Sequence, residues 1–169
     1  MWNETDIPLA YLITFRTYGS WLHGDARGST DRFHNQYQTP HIAPDKRWQQ
    51  HNTKTLKADA VTLDAAQRTA VEKAVRETCE KRGWLLHASN VRTNHAHSVV
   101  SSGETKSKVV LAALKANATR EMRQSGCWQS QQTPWAEQGS RRSLWNERSI
   151  ERAIDYVING QGDELPDFD

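Results

Sequence analysis

The fold prediction starts from residues 91–100, which read Val91-Arg92-Thr93-Asn94-His95-Ala96-His97-Ser98-Val99-Val100. Two histidines separated by one small apolar residue precede a Ser-Val-Val run, a setting typical of a β-strand. Because side chains i and i+2 of a strand point to the same face of a sheet, His95 and His97 are predicted to project side by side. Two imidazoles held in this way suit a divalent-metal site, and Asn94 is placed to close the turn and orient one ring. Two ordinary strand histidines remain an equally simple interpretation.

The segments on either side of this strand predict the order β-α-β-β-α-β-α. The predicted elements are a strand over 10–17, a helix from about 64 to 82 capped by Asp64 or Thr62, a strand over 84–91, the histidine strand, a helix over 106–124, a short strand over 141–145 and a helix over 147–158. This order is typical of an α+β fold with a ferredoxin-like antiparallel sheet and helices on one face.

The last predicted helix carries a tyrosine at the border of its apolar face. Apolar residues recur there at helical spacing, at Ile150, Ala153, Ile154, Val157 and Ile158. Such a stripe predicts an amphipathic helix that packs through this face. Tyr156 falls at the shoulder of the stripe. It is either an amphipathic core residue with its hydroxyl in water or a functional group.

The length of 169 residues predicts one domain, 1–169, with two unusual segments. Residues 18–62 form a polar insertion after the first strand, too long for an ordinary connection. It is either loosely packed or a nucleic-acid-binding flap. Residues 104–152 carry nine Lys/Arg against five Asp/Glu, whereas residues 153–169 carry five acids and no base. Four of these acids lie in the predicted acidic tail over 159–169. The basic body fits a polyanionic partner or, more simply, a solvated surface.

The sequence predicts a cytoplasmic protein without membrane contact. No apolar run approaches the roughly 18 residues of a membrane span, and residues 1–6 do not begin a secretory signal. Cys79 and Cys127 show no CxxC spacing and are expected to be reduced thiols.

A histidine–hydrophobe–histidine strand followed by a helix with one tyrosine resembles the HUH single-strand transposases. These include the insertion-sequence TnpA enzymes and the REP-associated tyrosine transposases. The likeness extends over most of the chain in the right order, through Tyr11–Gly19, Val91–Val100, Leu111–Ala116, Leu144–Arg148 and the Tyr156 helix.

The resemblance implies a metal-dependent endonuclease and strand transferase that acts on single-stranded or hairpin DNA. His95 and His97 would bind a divalent ion, Mg²⁺ or Mn²⁺, and Tyr156 would attack the scissile phosphate to form a 5′-phosphotyrosine. The biological role implied is DNA transposition or the processing of REP-like elements. A monomer and a homodimer both stay open.

The third metal ligand is where the sequence departs from this family. TnpA-type enzymes usually place an amide four residues after the tyrosine, and here that position is Gly160. Asn159 keeps the helical facing, whereas Gln161 has the longer reach and is the preferred candidate.

Basic and aromatic side chains complete the list of candidates. Arg16, Lys115, Arg141, Arg142 and Arg148 are candidate phosphate contacts or solvated surface charges. Most of the seven tryptophans are expected in or near the core, and a few could stack on unpaired bases. Two alternative functions stay open. One is a domesticated, non-catalytic module that binds hairpin DNA or RNA, and the other is a metal-dependent hydrolase that does not use Tyr156.

Overall fold

The computed structural model describes residues 6–20 and 60–160 of the chain. The elements in these residues are β1 (Ala10–Thr17), α1 (Ala65–Arg82), β2 (Leu85–Val91), β3 (His95–Ser101), α2 (Ser107–Gln124), β4 (Trp135–Leu144) and α3 (Glu147–Asn159). The four strands form one sheet in the order β2-β3-β1-β4, and every neighbouring pair is antiparallel. The predicted α+β class and the predicted order of elements are confirmed.

The sheet separates two apolar cores. On one face, α1 and α2 pack over alternate residues of β1, among them Ile13 and Phe15. On the other face, α3 places Ala153 and Val157 against Leu12 and neighbouring strand residues. The prediction put the helices on one face. Only α1 and α2 lie there, because the residues of β1 alternate between apolar positions for both faces and leave a second surface for α3.

The chain entering α1 is fixed by local hydrogen bonds. Asp64 is the N-cap, since its side chain accepts from the Gln67 backbone N–H while the Gln67 side chain accepts from the Asp64 N–H, each at 2.8 Å. This reciprocal pair is a capping box, and it decides between the two caps that the sequence offered. The helix ends at Gly83, whose φ of 71° is a left-handed conformation that favours glycine.

The strand β4 is longer than predicted. It begins at Trp135 rather than 141, because residues 135–140 pair with β1 although they lack an alternating apolar pattern. β4 pairs antiparallel with β1, and strands of antiparallel sheets do not need burial of both faces. Trp135 anchors its start, with its ring centre 4.8 Å from that of the Phe15 ring and the two rings perpendicular.

The predicted insertion and tail lie mainly outside the described residues. Where the insertion leaves and rejoins the domain, the Val61 backbone N–H donates to the Tyr18 carbonyl at 2.8 Å. The two ends of the insertion are therefore held next to each other. Among the described helices, none is long and apolar enough to cross a membrane.

Candidate active site

The two histidines of β3 project from the face of the sheet that α3 covers. In the register of the sheet, His97 lies opposite Thr14 of β1, and His95 lies opposite Arg16. Directly paired residues point to the same face. The ring centres of His95 and His97 are 4.6 Å apart, so the predicted side-by-side placement is present.

Each imidazole is held through its Nδ1 atom. Asn94 Oδ1 lies 2.7 Å from His95 Nδ1, and Thr14 Oγ1 lies 2.6 Å from His97 Nδ1. An amide oxygen only accepts, so His95 donates its Nδ1 proton to Asn94, as the sequence led us to expect of this asparagine. With Nδ1 engaged on both rings, Nε2 is the nitrogen that metal ligation would use.

Burial keeps His97 neutral. The side chain is 4% exposed, and desolvation lowers the pKa of its imidazole to about 3, with smaller contributions from the positive charges of His95 and Arg16. A metal ligand must be a neutral imidazole, so His97 needs no deprotonation at pH 7 before it binds an ion.

Tyr156 comes to this pair from α3. The helix begins at Asn146, whose side-chain oxygen accepts from the Ser149 N–H at 2.8 Å. Burial of Ala153 and Val157 then fixes which side of α3 faces the sheet. Tyr156 is half-buried at the edge of this contact, and its ring centre lies 5.3 Å from that of His97 at an interplanar angle of 62°. Within one chain, the His97 ring thus lies close to both the His95 ring and the Tyr156 ring.

The apolar stripe of α3 is shorter than the sequence suggests. Ile158 was expected on the packed face, but its side chain is 57% exposed. The helix ends one residue later at Asn159. Tyr156 therefore lies in the last turn of α3, three residues before its end.

Asn90 is a site residue that the sequence analysis missed. It lies opposite His97 in the β2–β3 register, and its side-chain Nδ2 donates to the Val157 carbonyl at 2.9 Å. The last carbonyls of a helix lack intrahelical donors, so Asn90 satisfies one of them. This hydrogen bond joins β2, the neighbour of the histidine strand, to the helical turn of α3 that carries Tyr156. The available signal was an asparagine inside a strand, where this residue type is depleted.

If Tyr156 attacks DNA as the resemblance implies, Asn90→Ala is expected to slow that step by about 10- to 100-fold without changing DNA affinity, because small displacements of a reacting group have effects of this size. The measurement is the single-turnover rate at saturating DNA, together with the dissociation constant. Asn117→Ala is the matched control, since Asn117 donates to Thr78 Oγ1 at 3.0 Å between α1 and α2 on the far side of the sheet. Equal rates for the two variants would show that Asn90 has only a structural role.

The structure distinguishes the two candidates for a third ligand only in part. Asn159 is exposed, and its Nδ2 donates to Asp155 Oδ1 at 2.8 Å. Gln161 lies outside the described residues. At Gly160, an added Cβ would lie 2.9 Å from Tyr156 Cδ2, so the ring of the tyrosine occupies the space that a side chain would need.

Two imidazoles with oriented Nε2 atoms fit a divalent ion, but they do not complete its coordination. Within residues 6–20 and 60–160, no group of three or more His, Cys, Asp and Glu side chains is arranged to hold a metal. The remaining ligands would have to be amide oxygens, phosphate oxygens or water.

The predicted basic contacts fall into two groups. Arg16 and Arg142 lie on the face of the histidines, since Arg16 pairs with His95 and Arg142 pairs with Leu12. Arg141 points to the other face, where its Nη1 donates to Ser107 Oγ at 3.3 Å. Arg148 is exposed in the first turn of α3.

Lys115 is held on α2, away from the histidines. Its ammonium group donates to the carbonyls of Ala136 at 2.8 Å and Glu137 at 3.3 Å, and burial lowers its pKa. The structure therefore gives Lys115 a role in fixing the edge strand β4. It does not bring this residue to the rings of the candidate site.

Comparison with known proteins identifies the fold. No protein-family profile matches the sequence, and no curated protein matches it. A solved structure of a REP-associated tyrosine transposase bound to a REP hairpin is similar over 93% of this chain and 69% of that one, with 11% identity and a TM-score of 0.51. A candidate transposase from Deinococcus radiodurans is matched over 93% of this chain and 94% of that one, with 12% identity and a TM-score of 0.49. The chain thus has the fold of a REP-associated tyrosine transposase, as the resemblance predicted.

Proposed function

We propose that this protein is a transposase-type enzyme that cuts and rejoins single-stranded or hairpin DNA through Tyr156. The observation that carries the proposal is the group of three rings in one chain, with His95 4.6 Å from His97 and His97 5.3 Å from Tyr156 between ring centres. A structure with the same fold was solved with a hairpin bound, which supports DNA of that form as the substrate.

In this proposal, the Tyr156 oxygen attacks the phosphorus of the scissile phosphodiester. The bond from phosphorus to the 3′ oxygen breaks, the phenol proton goes to solvent, and the departing oxygen takes up a proton. The products are a 5′-phosphotyrosine and a free 3′-hydroxyl, and attack by a second 3′-hydroxyl reverses the step. The energy of the broken phosphodiester bond is kept in the new bond between phosphorus and the tyrosine oxygen, so rejoining needs no other energy source.

His95 and His97 would hold a divalent ion, Mg²⁺ or Mn²⁺, through Nε2. Such an ion supplies Lewis-acid polarisation of the phosphate. Other residues of the chain would orient the histidines and bind the DNA. Asn94 and Thr14 fix the two rings through Nδ1, and Arg16 places a guanidinium beside His95 for contact with a neighbouring phosphate. Because the three rings lie close together in one chain, we propose cleavage in cis, by a monomer or by either subunit of a homodimer.

The test is a covalent adduct. Hairpin oligonucleotides with single-stranded flanks, incubated with the protein and Mn²⁺ or Mg²⁺, should give a species that resists denaturation together with a free 3′-hydroxyl end. Binding without adduct or cleavage would favour the non-catalytic hairpin-binding module. That alternative draws on the one observation that Gly160 stands where the related enzymes have an amide.

Gln161→Ala is expected to raise the metal concentration for half-maximal cleavage by about 10- to 100-fold, by analogy with the loss of supporting groups around metal sites. Asn159→Ala is expected to be mild, since the Asn159 amide already donates to Asp155 on the exposed side of α3. The measurement is cleavage titrated with Mn²⁺ for both variants. A shift in Asn159→Ala alone would reverse the assignment, and no shift in either would leave only the histidines and DNA as ligands.

A further inference from the structure

A second site lies at the end of the sheet, beyond the histidines. A solvent-open cavity of about 390 Å³ is lined by Tyr18 and Trp128 together with short polar side chains such as Thr62, Gln132 and Thr133. Its volume falls in the range of small-ligand sites. None of the cavity's lining residues in the described part of the chain carries a charge. The cavity therefore suits a neutral, flat group with hydrogen-bonding edges better than a phosphate or an acidic peptide.

The two aromatic residues are held in place. Trp128 packs against the core beneath α1 and α2, and its Nε1 donates to the Gln132 carbonyl at 3.0 Å. The backbone of Tyr18 is fixed on both sides, since its N–H donates to Pro134 and its carbonyl accepts from Val61, each at 2.8 Å. The Trp128 ring and the Tyr18 backbone are therefore ordered before binding, and ordered groups lose little conformational entropy when a planar ligand stacks on them.

The cavity is close enough to the histidines for one DNA strand to use both sites. The Thr17 N–H donates to the Asn94 carbonyl at 2.9 Å, so the chain next to Tyr18 lies beside the residue that precedes His95. Thr17, the last residue of β1, follows Thr14, the partner of His97, by three residues, so the strand end next to Tyr18 lies roughly 10 Å from the level of His97. Nucleotides near the scissile phosphate can span this distance.

We propose that this cavity binds an unpaired nucleobase of the DNA strand, stacked on Trp128 or Tyr18. Unpaired bases are commonly bound by stacking on aromatic side chains, with their edges hydrogen-bonded to polar groups. The proposal rests on the proposed single-stranded DNA substrate, and it does not require the covalent step at Tyr156. A base held here would set which phosphate reaches the histidines.

The test compares binding of two single-stranded oligonucleotides of about 12 nucleotides, a length within the site sizes of single-strand binding folds. One has a mixed sequence, and the other has the same phosphates with abasic sugars. The wild-type protein should bind the base-bearing strand about 5- to 150-fold more tightly, the range expected for one stacked base. Trp128→Ala and Tyr18→Ala should each reduce this preference at least about fivefold and leave affinity for the abasic strand unchanged.

Conservative variants and a distant tryptophan serve as controls. Trp128→Phe and Tyr18→Phe keep a flat ring and should retain most of the preference, which tests the site even if an alanine variant fails to fold. Trp145→Ala should change nothing, since Trp145 is 47% exposed and follows Leu144, which pairs with Ala10 at the opposite end of β1.

An unchanged preference in Trp128→Ala and Tyr18→Ala would overturn the nucleobase assignment, whether the cavity is empty or covered by another part of the chain. Failure of the nucleobase assignment can be distinguished from failure of the proposed function. Normal adduct formation with an unchanged preference would remove only the base site. If the alanine variants lose the preference but the wild-type protein forms no adduct, the base site would stand and only the covalent chemistry would be excluded.

Discussion

Tyr156→Phe is expected to lower covalent protein–DNA adducts by at least about 1,000-fold, the scale seen when a catalytic nucleophile is removed. Phenylalanine keeps the ring that contacts His97 at 5.3 Å and loses only the oxygen that would attack phosphorus. Affinity for single-stranded DNA should change by no more than about fivefold, the value of one hydrogen bond. The measurement is adduct yield after denaturing electrophoresis, with the dissociation constant determined in parallel.

Tyr11→Phe is the matched control for this variant. Tyr11 belongs to β1 but lies in the core beneath α1 and α2, on the opposite face of the sheet from the histidines. Its substitution should leave adduct yield unchanged. An adduct that persists in Tyr156→Phe would exclude Tyr156 as the nucleophile and would make Tyr18 the next residue to test.

His97→Ala and His95→Ala should each reduce cleavage by at least about 100-fold, because losing even the groups that support metal ligands costs 10- to 100-fold. His97→Ala removes, in addition, the ring whose centre lies 5.3 Å from that of Tyr156. Removal of divalent ions with a chelator should have the same effect on the wild-type protein, and added Mn²⁺ should restore activity.

His87→Ala controls for the loss of a strand histidine. His87 Nε2 lies 2.7 Å from Ser101 Oγ, so this ring also has a hydroxyl partner in the same sheet. Ser101 follows His97 by four residues, which places this pair roughly 13 Å from the candidate site. Full activity of the wild-type protein in chelator would contradict the metal-dependent mechanism. Equal losses in His87→Ala and His97→Ala would indicate damage to the sheet.

The part of the site that lies on one element was predictable from the sequence. The two-residue period of a strand is enough to place His95 and His97 on one face, and the register with β1 then adds nothing to that conclusion. The helical stripe likewise placed Tyr156 at the edge of a packed face, where its ring is half-buried. Local geometry sets these features, so a single sequence contains them.

Features that depend on pairing between distant segments were not predictable. Thr14 meets His97 and Asn90 meets Val157 only because the strand order is β2-β3-β1-β4, and their sequence separations are 83 and 67 residues. The start of β4 was missed for a similar reason. The first part of this strand is set by its pairing with β1, and the sequence of residues 135–140 has no alternating apolar pattern that would predict it. The domain boundaries, the insertion over 18–62 and the acidic tail stay predictions.

The most direct test of Tyr156 as the nucleophile is to identify the amino acid that carries the DNA. The sequence has four tyrosines, and trypsin would place Tyr11, Tyr18, Tyr37 and Tyr156 in four different peptides. Wild-type protein would be reacted with a hairpin oligonucleotide, digested with nuclease and trypsin, and measured by mass spectrometry. The account predicts a nucleotide phosphate on the peptide over 153–169, whose one tyrosine is Tyr156. A nucleotide on any other peptide, or on none in a reaction that cleaves the DNA, would contradict it.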